Sequence, residues 1–177
     1  MATILAFAGS NSSTSINYQL VKQTVSQIND HKVQLLNMAN YPFPMYSEDV
    51  EKKKGYSNSL VELKNDIQKA EGLIISVNEH NGNPSAYFKN LIDWLSRLER
   101  KFLKDTKILL MSASPGKGGG AGALEITKKL LPRFEAEVVA TFSLPSFKDN
   151  FDTQNGIAKN DLAKSHSEAI KKFLDAI

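Results

Sequence analysis

Five short apolar runs recur along the chain, and each is followed by a segment whose apolar residues fall at helical spacing. Residues 3–8 form the first run and end at Gly9-Ser10, the pattern of a buried strand closed by a turn. Leu20, Val21, Val25 and Ile28 then mark a helix over 16–28. Residues 33–38 read as a second strand, and 39–55, with two prolines, as a long loop. Leu60, Leu63, Ile67 and Ala70 give a second helix, and 72–77 a third strand bounded by Asn78 and an Asn-Gly-Asn-Pro turn. A third helix is predicted over 85–98, a fourth strand over 106–111, a fourth helix over 121–131 and a fifth strand over 137–142. The last helix, 159–177, carries Leu162, His166, Ala169, Ile170, Phe173 and Leu174 along one stripe.

Strands that alternate with helices imply a parallel sheet covered on both faces. Right-handed crossovers then favour a doubly wound five-stranded α/β sheet of order 2-1-3-4-5, with helices on both faces. Its switch point lies between strands 1 and 3, so a ligand would touch the loops after strands 1, 3 and 4. Those are the loops where polar residues and glycines gather.

No repeat, linker or low-complexity segment divides the chain, so residues 1–177 are expected to form one domain. No run of about 18 apolar residues is present, which argues against a membrane span. Met1-Ala2-Thr3 leads into the first apolar run without a basic leader, so that run is expected to be a strand rather than a signal peptide. The chain has no cysteine, which removes disulfides and thiolate chemistry and agrees with a cytoplasmic location. The net charge of +3 is small, and the one dense basic run, Lys52-Lys53-Lys54, follows three nearby acidic residues. That run reads as a solvated edge, and a nucleic-acid partner is not expected.

The first loop reads Gly9-Ser10-Asn11-Ser12-Ser13-Thr14-Ser15-Ile16-Asn17. Five hydroxyls and the amides of a helix N-terminus make an anion site without any lysine or arginine. Such neutral donors suit a phosphate that is held, not transferred. One serine there would be explained by N-capping alone; five hydroxyls exceed that need. The loop is not a G-x-G-x-x-G fingerprint, and Gly116-Lys117-Gly118-Gly119-Gly120 is not a P-loop.

With these loops placed, the sequence resembles the NADPH-dependent FMN reductase family, flavodoxin-like proteins that include quinone, azo-dye and chromate reductases. The first loop matches the family's opening G-S-x-R-x-x-S-x-N, with Ser12 at the arginine position. Glu79-His80-Asn81-Gly82, followed by Phe88-Lys89-Asn90-Leu91-Ile92-Asp93-Trp94, is similar to its central E-Y-N segment and the helix after it, with His80 at the tyrosine position. Ser112-Ala113-Ser114-Pro115-Gly116-Lys117-Gly118-Gly119-Gly120 is similar to its third loop. The resemblance implies that Ser10, Ser12, Ser15, Ile16 and Asn17 belong to the loop holding the FMN phosphate. It implies that Glu79, His80, Asn81 and Gly82 lie against the ring and ribityl chain. Ser114, Pro115, Gly116 and Gly119 would flank the ring; the number of glycines at 118–120 itself suggests that the backbone approaches a flat ligand closely. Pro44, Met45 and Tyr46 resemble the family's proline-x-tyrosine stretch near the site.

The activity implied is electron transfer from NADPH or NADH through bound FMN to a small-molecule acceptor: a quinone, azo compound, metal oxyanion or free flavin. The flavin carries the chemistry, so no catalytic side chain is expected. A flavodoxin-type electron carrier and a non-catalytic FMN-binding protein are the alternatives. The absence of a Thr-Gly-x-Thr loop and of an acidic balance disfavours the carrier. No histidine pair has metal-ligand spacing; His166 reads as a core residue, His31 as a surface turn residue and His80 as part of the site. On the helix over 85–98, Tyr87, Trp94 and Leu98 widen the apolar arc beyond one sheet face. This predicts either a deeply covered helix or the interface of a homodimer or homotetramer.

Overall fold

The computed structural model describes residues 1–177. Five parallel strands form the main sheet: β1 (Thr3–Ala8), β2 (Lys32–Leu36), β3 (Gly72–Val77), β4 (Lys107–Ala113) and β5 (Glu137–Leu144). Their order is 2-1-3-4-5, as the alternation of elements predicts. Six helices of seven or more residues surround them: α1 (Ile16–Val25), α2 (Glu48–Lys54), α3 (Asn58–Lys69), α4 (Ala86–Leu98), α5 (Ala121–Leu130) and α6 (Asn160–Leu174).

Side chains alternate across each strand, and this divides the core into two layers. Ile4, Ala6, Ile74, Leu109 and Met111 face α1 and α6. Leu5, Phe7, Leu73, Ile75, Ile108 and Leu110 face α3, α4 and α5. Every residue of β3 is buried, because this central strand is covered on both faces. On the α6 stripe, His166 is 1% exposed and lies 4.8 Å from the Phe142 ring. Burial lowers its pKa to about 4, so it is a neutral core residue. His31 is half-buried, and its Nδ1 accepts the Ala2 amide at the start of the sheet.

The segment between β2 and α3 is more ordered than a loop reading implies. Asn37 Oδ1 accepts the Ala39 amide and starts a 3₁₀ turn over Met38–Asn40. This ends β2 at Leu36 despite the apolar Met38. The short helix α2 has Glu48, Asp49 and Glu51 in its first turn and Lys52, Lys53 and Lys54 in its last. That arrangement complements the helix dipole, and all three lysines are exposed, a solvated edge.

Much of the wide apolar arc of α4 is covered within the chain, with Trp94 buried and Tyr87 and Leu98 half-buried. Trp94 is 4% exposed; its Nε1 donates to the Pro44 carbonyl at 2.8 Å. Tyr46 and Tyr56 meet its ring edge-on at 5.1 and 6.2 Å. The Tyr87 hydroxyl reaches the carbonyls of Tyr41 and Met38. Leu98 packs against the same core. The 39–57 segment thus packs over the part of the arc that carries Trp94 and Tyr87.

Candidate functional site

A cavity of about 740 Å³ opens at the C-terminal ends of β1, β3 and β4. This is the crevice that the strand order defines. The loop after β1 forms one end of it. Gly9 opens this loop where α4 passes closest: a Cβ there would lie 2.6 Å from the Phe88 ring. Ser85, the N-cap of α4, accepts the Phe88 amide and donates to the Gly9 carbonyl at 2.8 Å. The loop and the start of α4 are therefore fastened together.

Within the loop, Ser10 Oγ accepts the Ser12 amide, and Ser12 Oγ accepts the Thr14 amide. Ser15 is the N-cap of α1 and accepts the Tyr18 amide at 3.2 Å. The amides of Ile16 and Asn17, at the helix start, have no acceptor in the chain. Ser10 and Ser15 use their hydroxyl oxygens as acceptors, which leaves their protons for a ligand.

Asn17 behaves differently from its neighbours. Its side chain is 1% exposed, and its Oδ1 accepts from Ser76 Oγ at 2.7 Å and the Ala113 amide at 2.9 Å. Its Nδ2 donates to the Ala113 carbonyl at 3.1 Å. Three of its four hydrogen-bonding positions thus join α1 to the ends of β3 and β4.

The loop after β3 is a two-residue hairpin, Glu79–His80 against Asn83–Pro84. Asn81 and Gly82 make its turn with φ of 52° and 74°. Asn78 Nδ2 lies 3.0 Å from His80 Nε2. Glu79 Oε2 accepts the Ala123 amide at 2.9 Å. It thereby caps the first turn of α5, whose own N-cap, Gly120, has no side chain to do so.

Gly122 gives the hairpin room to dock. A Cβ there would lie 2.8 Å from Glu79 Oε2 and 2.9 Å from the Gly82 carbonyl. Gly122→Ala is expected to push the hairpin away from α5 and to cost about 1–3 kcal/mol, the range for overpacking. A melting curve superimposable on the wild type would contradict this account.

The glycines of the third loop also lie close to the chain's own strands. Gly119 and Gly120 have φ of 61° and 78°, and Cβ atoms there would collide with Ser143 and Ser112. The Gly116 carbonyl accepts the Ser146 amide at 2.8 Å, which ties the loop to the end of β5.

Of the residues expected at the site, Ser10, Ser12, Ser15, Ile16, Asn17, Met45, Glu79, His80, Ser114 and Pro115 line the cavity. Pro44, Tyr46, Asn81, Gly82, Gly116 and Gly119 do not. Pro44 and Tyr46 turn their backbone to Asn90 and Trp94 and leave Met45 between them facing out, 69% exposed. The cavity also takes in Asn11, Thr14, Asn78 and Ala113, neighbours of residues already named. Phe43, Ser85, Ala86, Tyr87 and Asn90 complete it. Those five come from the second loop and the first turns of α4, which only the packing brings to the mouth.

Behind the second loop lies a polar clamp. Glu51 Oε2 accepts from Tyr46 Oη at 2.8 Å and Arg97 Nε at 2.9 Å. Its Oε1 accepts from Tyr56 Oη at 2.8 Å and Arg97 Nη2 at 3.2 Å. The Arg97 hydrogen bonds, followed by those of Tyr46 and Tyr56, bring the Glu51 carboxyl down to about 2.

A doubly wound 2-1-3-4-5 sheet with a hydroxyl-rich loop at its switch point places the protein in the flavodoxin-like class. Solved structures agree on the fold. The flavoenzyme NAD(P)H:acceptor oxidoreductase FerB of Paracoccus denitrificans superposes with a TM-score of 0.78 at 20% identity, over 99% of this chain and 96% of that one. An azoreductase of Bacillus anthracis gives 0.67 at 16% identity, over 97% and 98%. The chain belongs to the NADPH-dependent FMN reductase family, which it matches over residues 2–149. FMN is therefore its cofactor and NAD(P)H its electron donor. It is 30% identical to an uncharacterised Mycoplasma pneumoniae protein over 81% of this chain and 87% of that one. It is 32% identical to the quinone reductase of Escherichia coli over 54% of this chain, and the match spans about half of the enzyme (51%). No helix is long and apolar enough to cross a membrane.

Proposed function

We propose that this protein is a cytoplasmic quinone reductase, taking electrons from NAD(P)H through FMN to a small quinone. Azo compounds, metal oxyanions and free flavin are the other acceptors of the same class. The observation that carries this reading is the two-ended cavity. One end offers the Ser10, Ser12, Thr14 and Ser15 hydroxyls and the free Ile16 and Asn17 amides. The other offers the flat or apolar faces of Phe43, Met45, Tyr87 and Pro115. A phosphate suits the first end and a planar ring the second.

Asn78 adds a further sign of fit. It lines the cavity, and its Oδ1 is buried without a donor in the chain. Buried acceptors of this kind find partners, and a ligand N–H would supply one. When bound, FMN accepts hydride and passes electrons onward. The chain's residues bind and orient it. Ser10, Ser12, Ser15, Ile16 and Asn17 hold the phosphate with neutral donors, the last two through their amides. Glu79 and His80 form the wall of the ring site, with Ser114 and Pro115 opposite.

The test is to load the purified protein with FMN, remove the excess by gel filtration and record the visible spectrum. Retained flavin absorbance should bleach with NADPH in the absence of air and return on adding a quinone. Protein that retains no flavin, or flavin that no reduced nicotinamide bleaches, would exclude the proposal.

A further inference from the structure

The second loop is held with more polar contacts than a surface segment needs. Asn90 accepts the Tyr46 amide at 2.7 Å and donates to the Pro44 carbonyl at 2.9 Å, so the backbone on both sides of Met45 is pinned. Trp94 Nε1 holds the same carbonyl from a second direction. Glu51 then gathers Tyr46, Tyr56 and Arg97 onto one carboxylate. Its side chain is only 15% exposed, although α2 lies on the outside of the fold.

This holds one wall of the cavity in place. Phe43 and Met45 line the 740 Å³ cavity. Phe43 also lines a second, partly open cavity of about 160 Å³, together with Val50, Tyr56, Leu60 and Trp94. Phe43 thus borders both spaces. The second space is large enough to receive a side chain that moves back, and the contacts on Pro44 and Tyr46 oppose that movement.

We infer that Glu51 is a positioning residue that sets the size of acceptor the enzyme takes, by holding the Phe43–Met45 wall forward of the cavity behind it. The inference rests on the proposed reductase reading and adds the residue that decides its acceptor range. With the clamp intact, a single-ring quinone fits under the wall and a fused-ring quinone must displace it. With the clamp released, Phe43 moves back and the larger ring enters. Glu51 does not line the 740 Å³ cavity. Its effect should appear as discrimination between acceptors, with FMN retention unchanged.

Two variants test this in the FMN-loaded protein. Glu51→Gln keeps the shape and removes the charge that orders Arg97 and the tyrosines. Tyr56→Phe removes one donor and leaves the Arg97 pair, a milder release if the first variant folds poorly. Each is assayed with 1,4-benzoquinone and with a fused-ring naphthoquinone. The ratio of kcat/KM for naphthoquinone over benzoquinone is expected to rise about tenfold in Glu51→Gln, mainly through KM, and by less in Tyr56→Phe. Trp94 is the only tryptophan, so its quenching by acrylamide reports the same release without turnover; it should increase in both variants, with or without an acceptor.

A ratio that stays at the wild-type value in folded, FMN-retaining variants overturns the inference and leaves the reductase reading standing. Unchanged Trp94 quenching also overturns it. If the wild type reduces neither quinone, the quinone reductase reading fails and the inference falls with it.

Discussion

Asn17→Ala is expected to be the most damaging single substitution near the site, costing about 3–5 kcal/mol. The asparagine accepts from Ser76 Oγ and the Ala113 amide and donates to the Ala113 carbonyl. Ser76 is wholly buried and Ala113 is 2% exposed, so both lose a partner in a largely desolvated setting. Each orphaned buried group costs about 1–3 kcal/mol, far more than the net value of the bond that satisfied it. For a chain of this length the loss lowers the melting temperature by roughly 10 °C. Asn17→Asp keeps the acceptor oxygen but sets a carboxylate oxygen against the Ala113 carbonyl, and should fare little better. Because the same contacts place the start of α1, FMN retention should fall with stability. Asn17→Ala protein that melts within a degree or two of the wild type would show that this knot is not needed.

The second large effect is a loss of stability in acid, centred on His166. Thr24 Oγ directs its proton to the Leu20 carbonyl at 2.9 Å and so accepts from His166 Nε2, also at 2.9 Å. The ring is neutral, and burial lowers its pKa from 6.5 to about 4. The unfolded chain therefore binds the proton first, and stability falls as pH falls. The contribution is fully present above about pH 6.5, declines between there and about pH 4, and is gone below. The shift corresponds to a contribution on the order of 3 kcal/mol. Thermal melts at pH 7.5 and 4.5 should differ more for the wild type than for His166→Leu, which has nothing to protonate there. Equal pH sensitivity in the two proteins would place the acid-labile group elsewhere.

Much of the arrangement was legible in the residues. The alternation of fully apolar runs with helically spaced segments identified all five strands, because strands buried on both faces leave no polar gaps. Strand order followed from handedness, and it located the cavity at the loops after β1, β3 and β4. The serine-rich run was visible as a cluster of hydroxyls and free amides at a helix start, because that is a local property. His166 was visible as a core residue because it falls on the α6 stripe.

What the sequence could not decide was which face each polar or apolar group turns to, since that depends on partners far along the chain. Gly119 and Gly120 announce a close approach, but only the fold shows that Ser143 and Ser112 are what they approach. The spare apolar arc of α4 had two possible partners, a second subunit or the chain itself; the second loop covers it through Trp94 and Tyr87. Glu79 is a site residue by position, yet its carboxylate caps α5. Asn17 stands in an anion loop, yet its side chain binds strand ends whose nearest residue, Ser76, is 59 positions away. Local periodicity and helix-start chemistry determined the scaffold and the address of the site. Long-range hydrogen bonding and packing, which no short window of sequence contains, decided the work of each residue within it.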